Sequence, residues 1–173
     1  TGPNINSEYA NFAGGNKDGY LIFNSGPGNE NCAYSRGLIG SKDVYDAYYG
    51  DKIENTYEGV SVHKSNGIAW GQNVSDCIDS YFILNCSGCQ NCFGCVNLRH
   101  KSYYFFNEPL SRDEWLKQVS EISGSFSKTE EVKKKFAEFS LKFPHRSNNN
   151  LKVTNCVGDY IFESKNCQNC FEL

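Results

Sequence analysis

Four of the nine cysteines, Cys86, Cys89, Cys92 and Cys95, recur at a constant step of three within Asn85-Cys86-Ser87-Gly88-Cys89-Gln90-Asn91-Cys92-Phe93-Gly94-Cys95. Four thiolates are the ligand set of a tetrahedral zinc site, and a Cys-x2-Cys-x2-Cys run is also an iron–sulfur ligand spacing. Convergence on one ion requires the chain to fold back at Gly88 and Gly94. On a straight strand, residues three apart face opposite ways and lie about 10 Å apart. A shorter echo, Asn166-Cys167-Gln168-Asn169-Cys170-Phe171, makes the segment a repeat unit as well. Cys32, Cys77, Cys86, Cys92, Cys156, Cys167 and Cys170 each directly follow Asn or Asp. That regularity fits a structural position, a small apolar thiol filling a narrow interior beside a turn-forming residue. Three states are open: a reduced buried ladder, a site for zinc or an iron–sulfur cluster at Cys86, Cys89, Cys92 and Cys95, and disulfides, of which an odd total leaves one thiol over. The ladder, with no metal bound, is the preferred reading.

Other chemistry is sparse. His63, His100 and His145 are the only histidines. His100 follows Cys95 closely enough to suggest a Cys-His pair, but a surface histidine at a strand end explains it better. Asp43, Asp46, Asp76 and Asp79 form i, i+3 carboxylates of the kind that polysaccharide-cleaving β-helices use in pairs, with water-exposed turn residues as the simpler explanation. No Gly-x-Ser-x-Gly, phosphate loop or dinucleotide fingerprint occurs. Tyr48, Tyr49, Trp70 and Tyr104 are candidate aromatic anchors for a protein or a glycan, the tandem pair because alternation turns one of the two outward.

Composition narrows the partners. With 173 residues the chain is long enough to bury a core without disulfides, and a net charge of -3 offers no basic surplus for nucleic acid. Lys133-Lys134-Lys135 sits among glutamates and reads as a solvated helix face. No apolar run approaches the length of a membrane span, and no basic-then-apolar leader is present. The missing methionine and a final Cys170-Phe171-Glu172-Leu173 that stops inside a repeat suggest a piece of a longer protein. The compartment is left open, with the cytoplasm favoured.

The elements that position these residues follow a second recurring signal: Asp or Asn, any residue, then an aromatic or isoleucine. From Asp18 to Asp76 it appears at Asp18-Gly19-Tyr20, Asn31-Cys32-Ala33-Tyr34 with one extra residue, Asp43-Val44-Tyr45, Asn55-Thr56-Tyr57, Asn66-Gly67-Ile68 and Asp76-Cys77-Ile78, and it returns at Asn91-Cys92-Phe93. Its spacing of about ten to thirteen residues is too short for a strand plus crossover helix and suits a short strand plus a turn. The Asx residue turns the chain, and the bulky residue two places on is expected to point into a shared interior. These signals predict a mostly-β chain, a right-handed parallel β-solenoid with short, irregular coils of four- or five-residue strands; the alternative is a β-sandwich. Solenoid coils are expected over 1–107, a helical insertion over 108–146 and solenoid again over 147–173, one domain overall. Ser111 with Glu114 forms a capping-box start, Trp115, Val119 and Ile122 share a helical face, and Gly124 ends the first helix. A second helix is expected from about Thr129 to Leu141, ending before Pro144.

The segment Cys-x-Gly-Cys-x-Asn-Cys-Phe-Gly-Cys-Val-Asn-Leu-Arg at Cys86–Arg99, followed by Lys101-x-Tyr-Tyr-x-Phe-Asn-Glu, is similar to a family of cysteine-rich proteins from uncultured bacteria with small genomes. Asn4-Ile5-Asn6-Ser7-Glu8-Tyr9, Tyr20-Leu21-Ile22-Phe23 and Leu141-Lys142-Phe143-Pro144-His145 fit the same resemblance. It implies the repeat architecture, zinc-ribbon-like cysteine pairs preceding this region, and no particular activity. Members carry cysteine in more repeats; here Gly19, Val44, Thr56 and Gly67 follow the Asx residue instead. The expected function is a non-enzymatic structural or protein-interaction module for an unknown partner or for self-association, with zinc or iron–sulfur binding and carbohydrate binding or cleavage as alternatives.

Overall fold

The computed structural model describes residues 2–171. The chain divides into two compact units, Thr1–Leu141 and Lys142–Leu173. The first contains strands β1 (Tyr20–Phe23), β2 (Glu30–Ile39), β3 (Lys42–Asp51), β4 (Glu54–His63), β5 (Asn66–Ser75), β6 (Ile78–Leu84), β7 (Gln90–Val96), β8 (Ser102–Phe105) and β9 (Glu108–Pro109), then helices α1 (Arg112–Ile122) and α2 (Phe126–Ser140). The strands form one sheet in sequence order. Pairing is parallel from β1 to β8, and only β9 turns back antiparallel on β8. Sequential parallel stacking is that of a β-solenoid-like fold and not the antiparallel pairing of a β-sandwich.

The coil is defined by register. Lys42 pairs with Glu54, Glu54 with Asn66, Asn66 with Ile78, Ile78 with Gln90 and Gln90 with Ser102, so one coil takes twelve residues. Within each coil every third residue is left-handed; in β3 and just after it, Asp43, Asp46, Tyr49 and Lys52 have φ of 53°, 55°, 59° and 52°. Each such residue makes a corner, and four corners close the coil. Asn, Asp and Gly tolerate this conformation best, which is the origin of the Asx signal. The strands run through these corners, so β2 to β5 are ten residues each, longer than expected.

Corners at a step of three change which residue faces inward. The residue after each corner is buried: Val44, Ala47, Gly50 and Ile53 in one coil, Ile68, Gly71, Val74 and Cys77 two coils on. The bulky member of the Asx signal points the other way, with Tyr20, Tyr45 and Tyr57 exposed at 40%, 38% and 42%. The expectation that these rings fill the interior is therefore corrected by one position, and a one-residue slip exchanges inside for outside. The interior is tightly filled. A Cβ added to Gly71 would stand 2.6 Å from Ile68 Cγ2 and 3.2 Å from Val74 Cγ2.

Small polar side chains recur inside for a second reason. Ser35, Ser65 and Ser80 each donate to the carbonyl two residues earlier, at 2.8, 2.7 and 2.9 Å. Each also accepts the inward N–H of the next coil, from Ala47, Cys77 and Cys92 at 3.2, 3.1 and 3.1 Å. A buried N–H without an acceptor costs about 1–3 kcal/mol, so an inward hydroxyl stabilises the coil above it.

The helix pair lies within the first unit. Ser111 and Glu114 form the expected capping box on α1. α2 starts at Phe126 after an N-cap at Ser125, earlier than expected, because the Ser125 side chain accepts from the Lys128 N–H. The second unit has β10 (Val157–Asp159) paired in parallel with β11 (Gln168–Phe171). Leu151 bridges Phe162 and Thr154 bridges Lys165, so the expected return of strand chemistry at Leu151 is observed. Among the described residues no helix is long and apolar enough to cross a membrane.

Candidate functional site

Cys86, Cys89, Cys92 and Cys95 occupy all four inward positions of a single coil, one per side, and all four are buried. The premise that a step of three faces opposite ways holds for a straight strand; the intervening left-handed residues Gly88, Asn91 and Gly94 send every sulfur to the same interior. Each thiol donates to the carbonyl two residues back, that of Leu84, Ser87, Gln90 and Phe93, at 3.4, 3.5, 3.6 and 3.3 Å. These are the contacts made by the inward serines, which explains why Cys and Ser interchange there. Cys77, one coil before Cys89, accepts the Cys89 N–H at 3.4 Å.

Side-chain interaction with Cys77, Cys86 and Cys92 lowers Cys89 below an ordinary thiol. The same interaction with Cys89, reinforced by burial, raises Cys77 and Cys86, and interaction with Cys89 and Cys95 together with burial raises Cys92. Burial pushes isolated Cys32 up to about 11. Cys156, Cys167 and Cys170 in the second unit are half-buried, and no disulfide joins any of the nine cysteines. Among the described residues no group of three or more His, Cys, Asp or Glu side chains is arranged to hold a metal ion.

The other candidates are dispersed. His100 is exposed whereas Cys95 is buried, so the coil wall separates them. Asp43, Asp46, Asp76 and Asp79 are all left-handed corner residues. Asp43 and Asp79 share a corner column three coils apart, about 14 Å by inter-strand spacing, and Asp46 and Asp76 lie on other corners. Carboxylate pairs that cleave glycosides stand much closer or face each other across one sugar ring.

Among the four aromatic candidates, Tyr48 is exposed and Tyr49 half-buried, their rings edge-to-face at 4.8 Å with Arg36 5.6 Å from the Tyr48 ring centre. Trp70 is half-buried, stacked on Phe82 at 4.4 Å and covered by Lys133 at 5.2 Å. Tyr104 stands at the inward position above Cys92 and packs against the thiol core. Its proposed role as an outer anchor is corrected for the same reason as the Asx register: it follows the left-handed corner Tyr103.

What the sequence reading missed is the wall these rings belong to. On one side of the coil the outward pairs are Glu8-Tyr9, Tyr20-Leu21, Ala33-Tyr34, Tyr45-Asp46 and Tyr57-Glu58, continuing as Ala69-Trp70, Tyr81-Phe82, Phe93-Gly94 and Phe105-Phe106. The signal was available as aromatics returning about once per coil, at Tyr9, Tyr20, Tyr34, Tyr45 and Tyr57. The upper half is sealed: Trp115 and Val132 of the helix pair form one core with Phe82 and Phe93, and Trp70, Phe105, Phe106 and Phe136 pack on it. The lower half is bare, with Tyr9, Tyr20, Tyr34, Tyr45 and Tyr57 exposed and Tyr9–Tyr20 and Tyr20–Tyr34 edge-to-face at 5.8 and 5.6 Å. A hydrogen bond to Glu58 raises the Tyr57 hydroxyl above its ordinary value.

The chain matches no family model, and it matches no curated protein.

Proposed function

We propose that this chain is a non-enzymatic interaction module, a right-handed β-solenoid whose aromatic wall docks a partner protein, its thiols serving as reduced interior filler. The observation that carries this reading is the wall's uneven cover, sealed by the chain's own helices over its upper half and bare over its lower. Contiguous exposed apolar area of this kind marks interaction sites, and tyrosine suits a surface that is alternately wet and covered. Right-handedness follows the general rule for parallel crossover connections. Membership of the cysteine-rich family that the chain resembles belongs to the same proposal, since the resembling segment is the four-thiol coil. Carbohydrate cleavage has less support, because the carboxylates are scattered over separate corners.

The test compares the wild-type chain with a Tyr20→Ser/Tyr34→Ser/Tyr57→Ser chain of equal stability in capture from the native cell extract, followed by hydrogen exchange on the purified complex. The expected result is a stoichiometric protein retained by the wild type alone, with protection along β1 to β4. Equal capture by both chains, or release of new reducing ends from a polysaccharide panel, refutes it.

A further inference from the structure

The contact between α2 and the wall has a simple geometry. Lys133 reaches Glu58 at 3.6 Å and lies 5.2 Å from the Trp70 ring centre. Phe136 meets Phe82 at 6.1 Å, and Phe139 meets Phe106 at 5.2 Å. Each step of three along the helix thus climbs the stack, so α2 runs along the solenoid axis. From Lys133 to Phe136 the contacts climb one coil, from Trp70 to Phe82, and from Phe136 to Phe139 two, from Phe82 to Phe106. Cations take part as well as rings, with Lys135 4.4 Å from the Phe106 ring centre.

Below Glu58 the same line continues through Tyr57, Tyr45, Tyr34 and Tyr20 at one ring per coil. The side chains between them include Asp46 and Glu58, the latter paired with Lys133, and the outward pairs from Glu8 to Glu58 hold no Lys or Arg, with Arg36 lying beside them over Tyr48. Ring faces and carboxylates both attract an ammonium group, more strongly once water is excluded. Resting on the docking reading above, we infer that the tyrosine half of the wall receives an amphipathic helix of the partner protein, aligned with α2 and bearing lysines beside its apolar stripe. That helix sets its apolar side chains against the tyrosine rings, and its lysines face Asp46 and the exposed ring faces, beside a groove that Phe23, Tyr34, Arg36 and Tyr48 form with Asp46. An acidic helix is rejected by the same carboxylates.

The experiment uses the full chain and three stapled helical peptides: one copying Phe126–Leu141, one with its Lys133, Lys134 and Lys135 changed to Glu, and one with them changed to Gln. Affinity is read by fluorescence polarisation and the footprint by hydrogen exchange. The lysine peptide is expected to protect β1 to β4, with Kd rising at least tenfold for the glutamate peptide, and likewise for Tyr34→Ser/Tyr45→Ser and Asp46→Lys chains whose urea midpoints match the wild type. Equal binding of the lysine and glutamate peptides overturns the inference. So does a footprint confined to Trp70–Phe106, or binding of neutral oligosaccharides at the tyrosines with none of the lysine peptide. A native partner that protects the tyrosine half but is indifferent to Asp46→Lys removes the lysine helix and leaves lateral docking intact.

Discussion

Ser80→Ala tests the idea that inward polar side chains hold the coils together. Ser80 is fully buried; its Oγ donates to the Ile78 carbonyl at 2.9 Å and accepts the Cys92 N–H at 3.1 Å. Alanine keeps the Cβ and removes both bonds. The Ile78 carbonyl loses one of its donors, whereas the Cys92 N–H is left buried without this acceptor, and that loss dominates. The expected cost is about 2 kcal/mol, or a fall in Tm of roughly 5 °C for a unit of this size. Ser80→Cys should cost less than half as much, because Cys77 makes the same pair of contacts, 3.3 Å to the Ser75 carbonyl and 3.4 Å from the Cys89 N–H. Urea unfolding followed by far-UV circular dichroism and by tryptophan fluorescence gives the free energy, provided the two transitions coincide, since stacked coils lose cooperativity when one layer weakens. Exposed Ser102→Ala is the control, expected within about 0.5 kcal/mol of wild type. A Ser80→Ala chain as stable as that control, or a Ser80→Cys chain as damaged as alanine, refutes the reasoning.

Burial also sorts the thiols. A thiol reagent under native conditions should label Cys156, Cys167 and Cys170 rapidly and reach the six buried cysteines only in denaturant; fast labelling of Cys89 or Cys92 would contradict the closed interior. Gly71→Ala should destabilise by about 1–3 kcal/mol, since its Cβ would lie 2.6 Å from Ile68 Cγ2, while Gly124→Ala, with open space around it and a φ of 82°, should cost about 1 kcal/mol from conformation alone. For α1, the Ser111 hydroxyl and N–H donate to Glu114 Oε2 at 2.6 and 3.0 Å and hold its carboxyl below the usual range. A lowered acid contributes above its unfolded pKa and stops contributing as pH falls through the folded value. Wild type and Glu114→Gln should therefore differ in helical signal at neutral pH and converge in acid; a constant difference across that range would remove the capping explanation.

The sequence by itself determined that this is a mostly-β, repeating chain with a helical interruption. Asx and Gly at regular intervals mark backbone that must turn, and the Ser111–Glu114 pair marks a helix start, both local preferences that survive any packing. It also placed cysteine at a structural position. The sequence did not reveal the period that matters: the Asx signal returns at about a coil's length, while the backbone turns every three residues, and corners at Tyr49, Glu58, Trp70 and Phe82 carry no Asx or Gly to announce them. Those positions are held left-handed by the ladder on either side, a constraint that exists only once coils stack. With the period wrong, inside and outside were exchanged for the aromatics, and Tyr104 was placed on the wrong face. The same stacking decided two further features. Four cysteines that diverge on a straight strand meet in one interior, and rings about one coil apart in sequence line up as a wall, because only the closed coil brings each residue above its equivalent in the coil before.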